Sequence, residues 1–255
     1  MEMKRWLAMV LAVVMVLTMA ACTKAPEEPE QSEVALMRED HLEWTEVEGG
    51  VELTAYTGKY AHLEVPEKVD GKFVVSLGTA LVGNDRVKSV ILPVTFERMD
   101  CAWFEGCDQL LFISGYNVLE LEGELALPLL ETLQLPSLEQ IQSSDVAECP
   151  SLRVLQIPRA RVLRAYSEDG TLCGWPKSLA WVELPMPMYA RILPPEGADE
   201  VDGAVWSLVY EPRVGIDEEH SPEDAFRRIP STAGQIYCTF FGVEAITVNG
   251  QEYHL

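Results

Sequence analysis

The chain has 255 residues, 41 of them acidic and 19 basic, for a formal net charge of −22. A field of that sign works against binding nucleic acid or an anionic lipid surface, and it favours solubility and cationic partners. The length allows one sizeable folded unit.

The first 22 residues read as an address. Lys4 and Arg5 give a basic start, residues 6–21 are almost wholly apolar, and Met19-Ala20-Ala21-Cys22 closes the segment. That is the charged, apolar and small-residue sequence of a secretory signal. An apolar run of 16 residues is shorter than the ~20 that a membrane-spanning helix needs. A cysteine directly after the small residues resembles the bacterial lipobox. The resemblance implies a signal peptide at 1–21 and a mature chain that begins at a lipidated Cys22. The expected location is therefore outside the bacterial cell membrane, facing outward and held by lipid alone. An ordinary secretory signal with a coincidental cysteine is the competing reading.

Residues 22–40 follow as a tether. Thr-Lys-Ala-Pro-Glu-Glu-Pro-Glu-Gln-Ser-Glu is rich in Pro and Glu with almost no core-forming side chain, so it is expected to be extended and flexible. Residues 41–58 read as a capping hairpin, His41–Val47 and Val51–Thr57 around Gly49-Gly50.

From residue 59 to 185 one phrase returns, apolar-x-x-apolar-x-apolar-Pro. It is written Val87-Lys-Ser-Val90-Ile-Leu92-Pro93, Leu130-Glu-Thr-Leu133-Gln-Leu135-Pro136, Leu152-Arg-Val-Leu155-Gln-Ile157-Pro158 and Leu179-Ala-Trp-Val182-Glu-Leu184-Pro185. Tyr60–Pro66 keeps the frame, and Leu110–Gly115 keeps its first apolar positions without the Pro. Starts at 60, 87, 110, 130, 152 and 179 give spacings of 27, 23, 20, 22 and 27 residues. A period of about 20–29 residues marks a leucine-rich solenoid. In each strand the apolar set points inward and must be covered by neighbouring repeats, and the Pro ends ladder pairing because it has no N–H. The expected fold is a β-rich leucine-rich-repeat solenoid, right-handed, with a parallel concave sheet and a mostly irregular convex side carrying short helical turns. A later copy, Val243-Glu-Ala-Ile246-Thr-Val248-Asn249, reads as a closing strand after a long insertion.

A small polar or thiol residue stands three positions before the first apolar one in Asn84-Asp-Arg-Val87, Cys107-Asp-Gln-Leu110 and Cys149-Pro-Ser-Leu152. Together with Val65-Pro66, Asp70-Gly71, Val74-Val-Ser-Leu77-Gly78 and Trp103-Phe104-Glu-Gly-Cys107, this resembles the BspA-type leucine-rich repeats of bacterial surface proteins over roughly residues 45–185. Leu81, Val146 and Cys173 stand where that family usually has Phe. The resemblance implies adhesion or host-protein binding at a cell surface.

Residues 186–255 are expected to form a C-terminal cap with an insertion. Residues 185–197 are Pro- and Gly-rich, 204–210 read as a strand, and Ser221-Pro-Glu-Asp224 opens a short helix through Arg228. Asn249-Gly250 is a hairpin turn signal. Of five cysteines beyond Cys22, Cys107 and Cys149 recur two repeats apart, ~10 Å at ~4.8 Å per strand. That is too far for a disulfide, and buried thiols are the simpler reading.

No nucleophile-elbow, zincin, P-loop or dinucleotide motif occurs. The chain is read as a non-enzyme without cofactor or metal. The acidic run 217–224 lacks the spacing of a calcium loop, and Arg153, Arg159, Arg161 and Arg164 form a small basic island whose simplest role is local pairing with carboxylates.

The residues between the inward apolar positions supply a candidate surface. One outward row is His62, Ser89, Phe112, Thr132, Val154, Trp181, and its neighbour is Glu64, Ile91, Ser114, Gln134, Gln156, Glu183. Phe112, Val154 and Trp181 are large and apolar where polar residues are expected. With Gln134, Gln156 and Glu183 they make a binding face for a protein or glycan, presented by a monomer. Cover by residues 196–235 is the opposing expectation. Two other functions compete with surface binding: an envelope-assembly lipoprotein docking a protein of the same cell, and an enzyme with its site at 196–235.

Overall fold

The computed structural model describes residues 34–165, 173–185, 190–193, 207–210, 237–238 and 240–255. Cys22, the 1–21 segment, the acidic run 217–224 and the helix expected at 221–228 lie outside the described residues.

A principal sheet of nine strands runs the length of the unit. Its order is Ala35–Leu36, His62–Glu64, Ser89–Leu92, Phe112–Gly115, Thr132–Gln134, Val154–Gln156, Trp181–Glu183, Ala245–Val248 and Gln251–His254. Every neighbouring pair is parallel except the last, a hairpin turned at Asn249-Gly250, where φ is +49° and +76°. Positive φ at both central residues is the type I′ geometry that Asn-Gly favours.

The repeat frame explains the register. Leu63, Val90, Ile113, Leu133, Leu155, Val182 and Val248 stand side by side on successive strands, none more than 2% exposed. The next inward position holds Val65, Leu92, Leu135, Ile157 and Leu184, all buried. Gly115 pairs with Leu92 at this position and breaks the pattern. A Cβ built there would lie 2.6 Å from Val118 Cγ2 and 3.2 Å from Leu135 Cδ2. Val118, itself fully buried, fills the space that a leucine occupies elsewhere.

The thiols close each turn from inside. Cys107 Sγ donates to Leu81 O at 3.0 Å and Cys149 Sγ to Leu125 O at 3.4 Å, while Asn84 Oδ1 accepts from the N–H groups of Arg86 and Val87. All five described cysteines are free thiols. Leu81, Phe104 and Val146 take equivalent buried places ahead of these residues.

The returning side has the expected short helical turns and carries more strand than an irregular face. It carries short 3-10 helices, Cys101–Phe104 and Ser144–Val146, but also a second ladder. Arg98–Asp100 pairs in parallel with Glu120–Glu122, and Gln140–Gln142 with Val162–Arg164. Each rung holds one inward apolar residue, Met99, Leu121, Ile141 or Leu163, between outward polar or aliphatic ones. Ser207–Tyr210 adds antiparallel to Val162–Arg164, and Ala190–Leu193 adds to Ser207–Tyr210, so the Pro- and Gly-rich stretch contributes a strand.

Both ends of the core are sealed. At the start, Leu42–Val47 and Gly50–Tyr56 pair antiparallel, with Lys72–Ser76 and Lys68–Val69 completing a small sheet. Ala35–Leu36 lies in the principal sheet and Met37 is buried, inside the stretch that composition assigns to the tether. Met37 is buried and Ala35 half-buried at the sheet edge, which removes their apolar surface from water, while Val34 and Leu36 stay exposed. At the other end Trp175, Tyr237, Phe240 and Phe241 cluster beneath the last rungs, with Trp175 and Phe241 ring centroids 5.0 Å apart.

Candidate functional site

The candidate site is the outward face of the principal sheet. Strand side chains alternate between faces, so burying Leu133, Leu155 and Val182 turns Thr132, Val154 and Trp181 outward together with Gln134, Gln156 and Glu183. Pairing places His62, Ser89, Phe112, Thr132, Val154 and Trp181 in one continuous row, which Thr247 extends. Glu64, Ile91, Ser114, Gln134, Gln156 and Glu183 form the adjacent row, with Leu36 at its start. Both rows follow the order expected from the repeat spacing.

Within them the chemistry is graded. At one end His62 Nδ1 lies 2.9 Å from Ser89 Oγ, a polar pair with Ser89 buried. Phe112, Val154 and Trp181 are half-buried and stand outside the core cluster. Phe112 and Trp181 are three strands apart, ~14 Å at ~4.8 Å each, with Thr132 and Val154 between them. Beside this apolar block the second row offers amides and a carboxylate. Gln156 Nε2 donates to Glu183 Oε2 at 3.0 Å, which fixes both side chains and leaves the amide oxygen of Gln156 and the second carboxylate oxygen of Glu183 as acceptors. The arrangement can pack a flat apolar or sugar surface on Phe112 and Trp181 while hydrogen-bonding its edge.

The opposing expectation was that residues 196–235 cover this face. Most of that stretch lies outside the described residues. Its described part, Ser207–Tyr210, pairs with the second ladder, and Leu208 is fully buried there. In the basic island Arg164 donates to Gln140 Oε1 at 3.3 Å, an amide rather than a carboxylate. Among the described residues no group of three or more His, Cys, Asp or Glu is placed to hold a metal ion.

Sequence reasoning missed two surface features. Thr247 joins the outward row because the closing strand is the immediate neighbour of Trp181–Glu183. The second ladder leaves two clefts, one about 530 Å3 between Glu120–Glu122 and Gln140–Gln142, the other about 650 Å3 between Val75–Ser76 and Arg98–Asp100. The polar-apolar-polar triads around Met99, Leu121 and Ile141, with Val162-Leu163-Arg164 after them at the repeat period, were the available signal.

No family model matches the chain, and no curated protein matches it. Among solved structures it is similar to a leucine-rich repeat protein of T. pallidum, at 21% identity and a TM-score of 0.46, covering 59% of this chain and 72% of that one.

Proposed function

We propose that this leucine-rich-repeat solenoid is an exported bacterial lipoprotein of the BspA-like kind, anchored through Cys22, that binds a protein or glycan on the outward face of its principal sheet. The observation that carries the reading is the placement of Phe112, Val154 and Trp181 in one outward row beside Gln134, Gln156 and Glu183. Large apolar groups presented half-buried on the outer face of a regular sheet are hot-spot material, because a partner that covers them gains burial without reordering the backbone. The pairing of Ser207–Tyr210 with the other ladder supports an accessible face. The basic start, apolar run and Ala20-Ala21-Cys22 junction support lipid anchoring. A tether after Cys22 would lift the folded body off the membrane.

A photo-crosslinking residue tests the binding face. Placed at Thr132, in the middle of the row, it should give an adduct with a surface protein or glycan. Placed at Arg159, an exposed turn position, it should not. Equal labelling from both positions, or labelling from Arg159 alone, contradicts the reading. Anchoring is tested separately: Cys22→Ala should abolish lipid on the mature N-terminus in mass spectra, and an unmodified wild-type N-terminus at another residue contradicts it.

A further inference from the structure

The second ladder is broken where the first is continuous. Arg98–Asp100 has a strand neighbour on one side alone among the described residues, the rung Glu120–Glu122. Its other edge faces the end of Lys72–Ser76 across the cleft of about 650 Å3. That size falls in the range of ligand-sized clefts, about 300–1,000 Å3. Two bonds link the neighbouring turns around it: Gly83 N–H donates to Glu105 O at 2.7 Å, and Thr95 Oγ1 donates to Val74 O at 3.2 Å.

The walls combine two properties. Val75 and Val82 are 36% and 44% exposed, beside Ala102 and the buried Trp103, whose ring packs on Phe96 at 5.2 Å. The rim carries Glu52, Asp100, Glu105 and Glu122 against one cation, Arg98. Arg98 lies 3.8 Å from Glu120 and 3.5 Å from Glu122, so its charge is already matched within the ladder. Among the described residues Glu52, Asp100 and Glu105 make no ion pair. Asp100 caps the following 3-10 turn by accepting from Ala102 N–H, and Glu52 accepts from the Ser76 hydroxyl. Both acids are held in place by these bonds.

From this combination we infer that the cleft docks an extended cationic segment of a partner protein. An apolar side chain would seat on Val75, Val82 and Trp103, and Lys or Arg would meet Glu52, Asp100 and Glu105. The open edge of Arg98–Asp100 supplies backbone groups to which an extended peptide adds as a strand, and the charge complementarity selects a basic sequence. This surface is separate from the principal sheet and does not depend on the reading of that face.

The test uses the full mature chain and a labelled peptide of alternating lysine and leucine, with its glutamate–leucine counterpart as the charge-reversed probe. The lysine peptide should bind, with slowed amide exchange at residues 98–105, and the glutamate peptide should not. Val82→Ser with Glu105→Gln should weaken binding at least tenfold. The control pair Leu129→Ser with Glu131→Gln, which likewise replaces one exposed aliphatic residue by Ser and one Glu by Gln elsewhere, should change it less than twofold. Equal weakening in both pairs would show only general attraction to an acidic chain, and would overturn the proposal. So would binding without protection at 98–105, or no binding at all.

Discussion

Trp181 pairs with Thr247, and Val182 with Val248, although residues 186–244 intervene in the chain. The closing strands therefore sit directly beside Trp181–Glu183 in the principal sheet and cap the array. Tyr237, Phe240, Phe241, Ile246 and Val248 are all at most 4% exposed. End repeats must shield the core they would otherwise leave open. A chain that stops at residue 236 is expected to be insoluble or to lose its cooperative thermal transition. A soluble truncation with the wild-type melting curve would show that the cap is dispensable.

Gly115 gives an expectation opposite to consensus design. Restoring the repeat with Gly115→Leu would place a side chain where Val118 Cγ2 and Leu135 already sit. Overpacking of this kind costs about 1–3 kcal/mol. The unfolding midpoint in urea should fall for Gly115→Leu, and recover in part when Val118→Ala is added. A rise on Gly115→Leu alone would mean that the core can repack around the consensus residue.

The buried thiols make stability depend on alkaline pH. Burial pushes the Cys149 thiol up to about 11 from its ordinary value of 9.0, and it raises Cys101 and Cys107 as well. Between the unfolded and folded values the folded chain holds more protons, so stability falls as pH rises. Urea midpoints should be flat from about pH 7 to 8.5, then decline above about 9. Cys149→Ala should make that decline shallower. Unchanged steepness in the variant would place the alkaline sensitivity elsewhere.

The principal sheet was legible because its signal is redundant. Most rungs carry three apolar positions at fixed spacing and end in Pro, and the copies agree with one another, so Leu133, Leu155 and Val182 could be aligned without a structure. The outward rows then followed from alternation alone. The second ladder was not legible because its rungs are three residues long with one inward side chain, as in Glu120-Leu121-Glu122. Such a triplet reads the same in a strand or a turn. Ala35–Leu36 was hidden for a different reason. Two residues carry no periodicity, and their pairing is decided by the open edge of His62–Glu64 rather than by their own sequence.

The account rests most heavily on the outward row, and Trp181→Ala tests it most directly. Affinity would be measured for the partner captured through Thr132, beside the thermal midpoint of the variant. Because Trp181 stands outside the core cluster, its loss should leave the midpoint close to wild type. Binding should weaken by about 2 kcal/mol, the hot-spot scale, or roughly thirtyfold. An unchanged affinity together with a lowered midpoint would contradict the account, since it would make Trp181 a packing residue and move the binding surface elsewhere on the molecule.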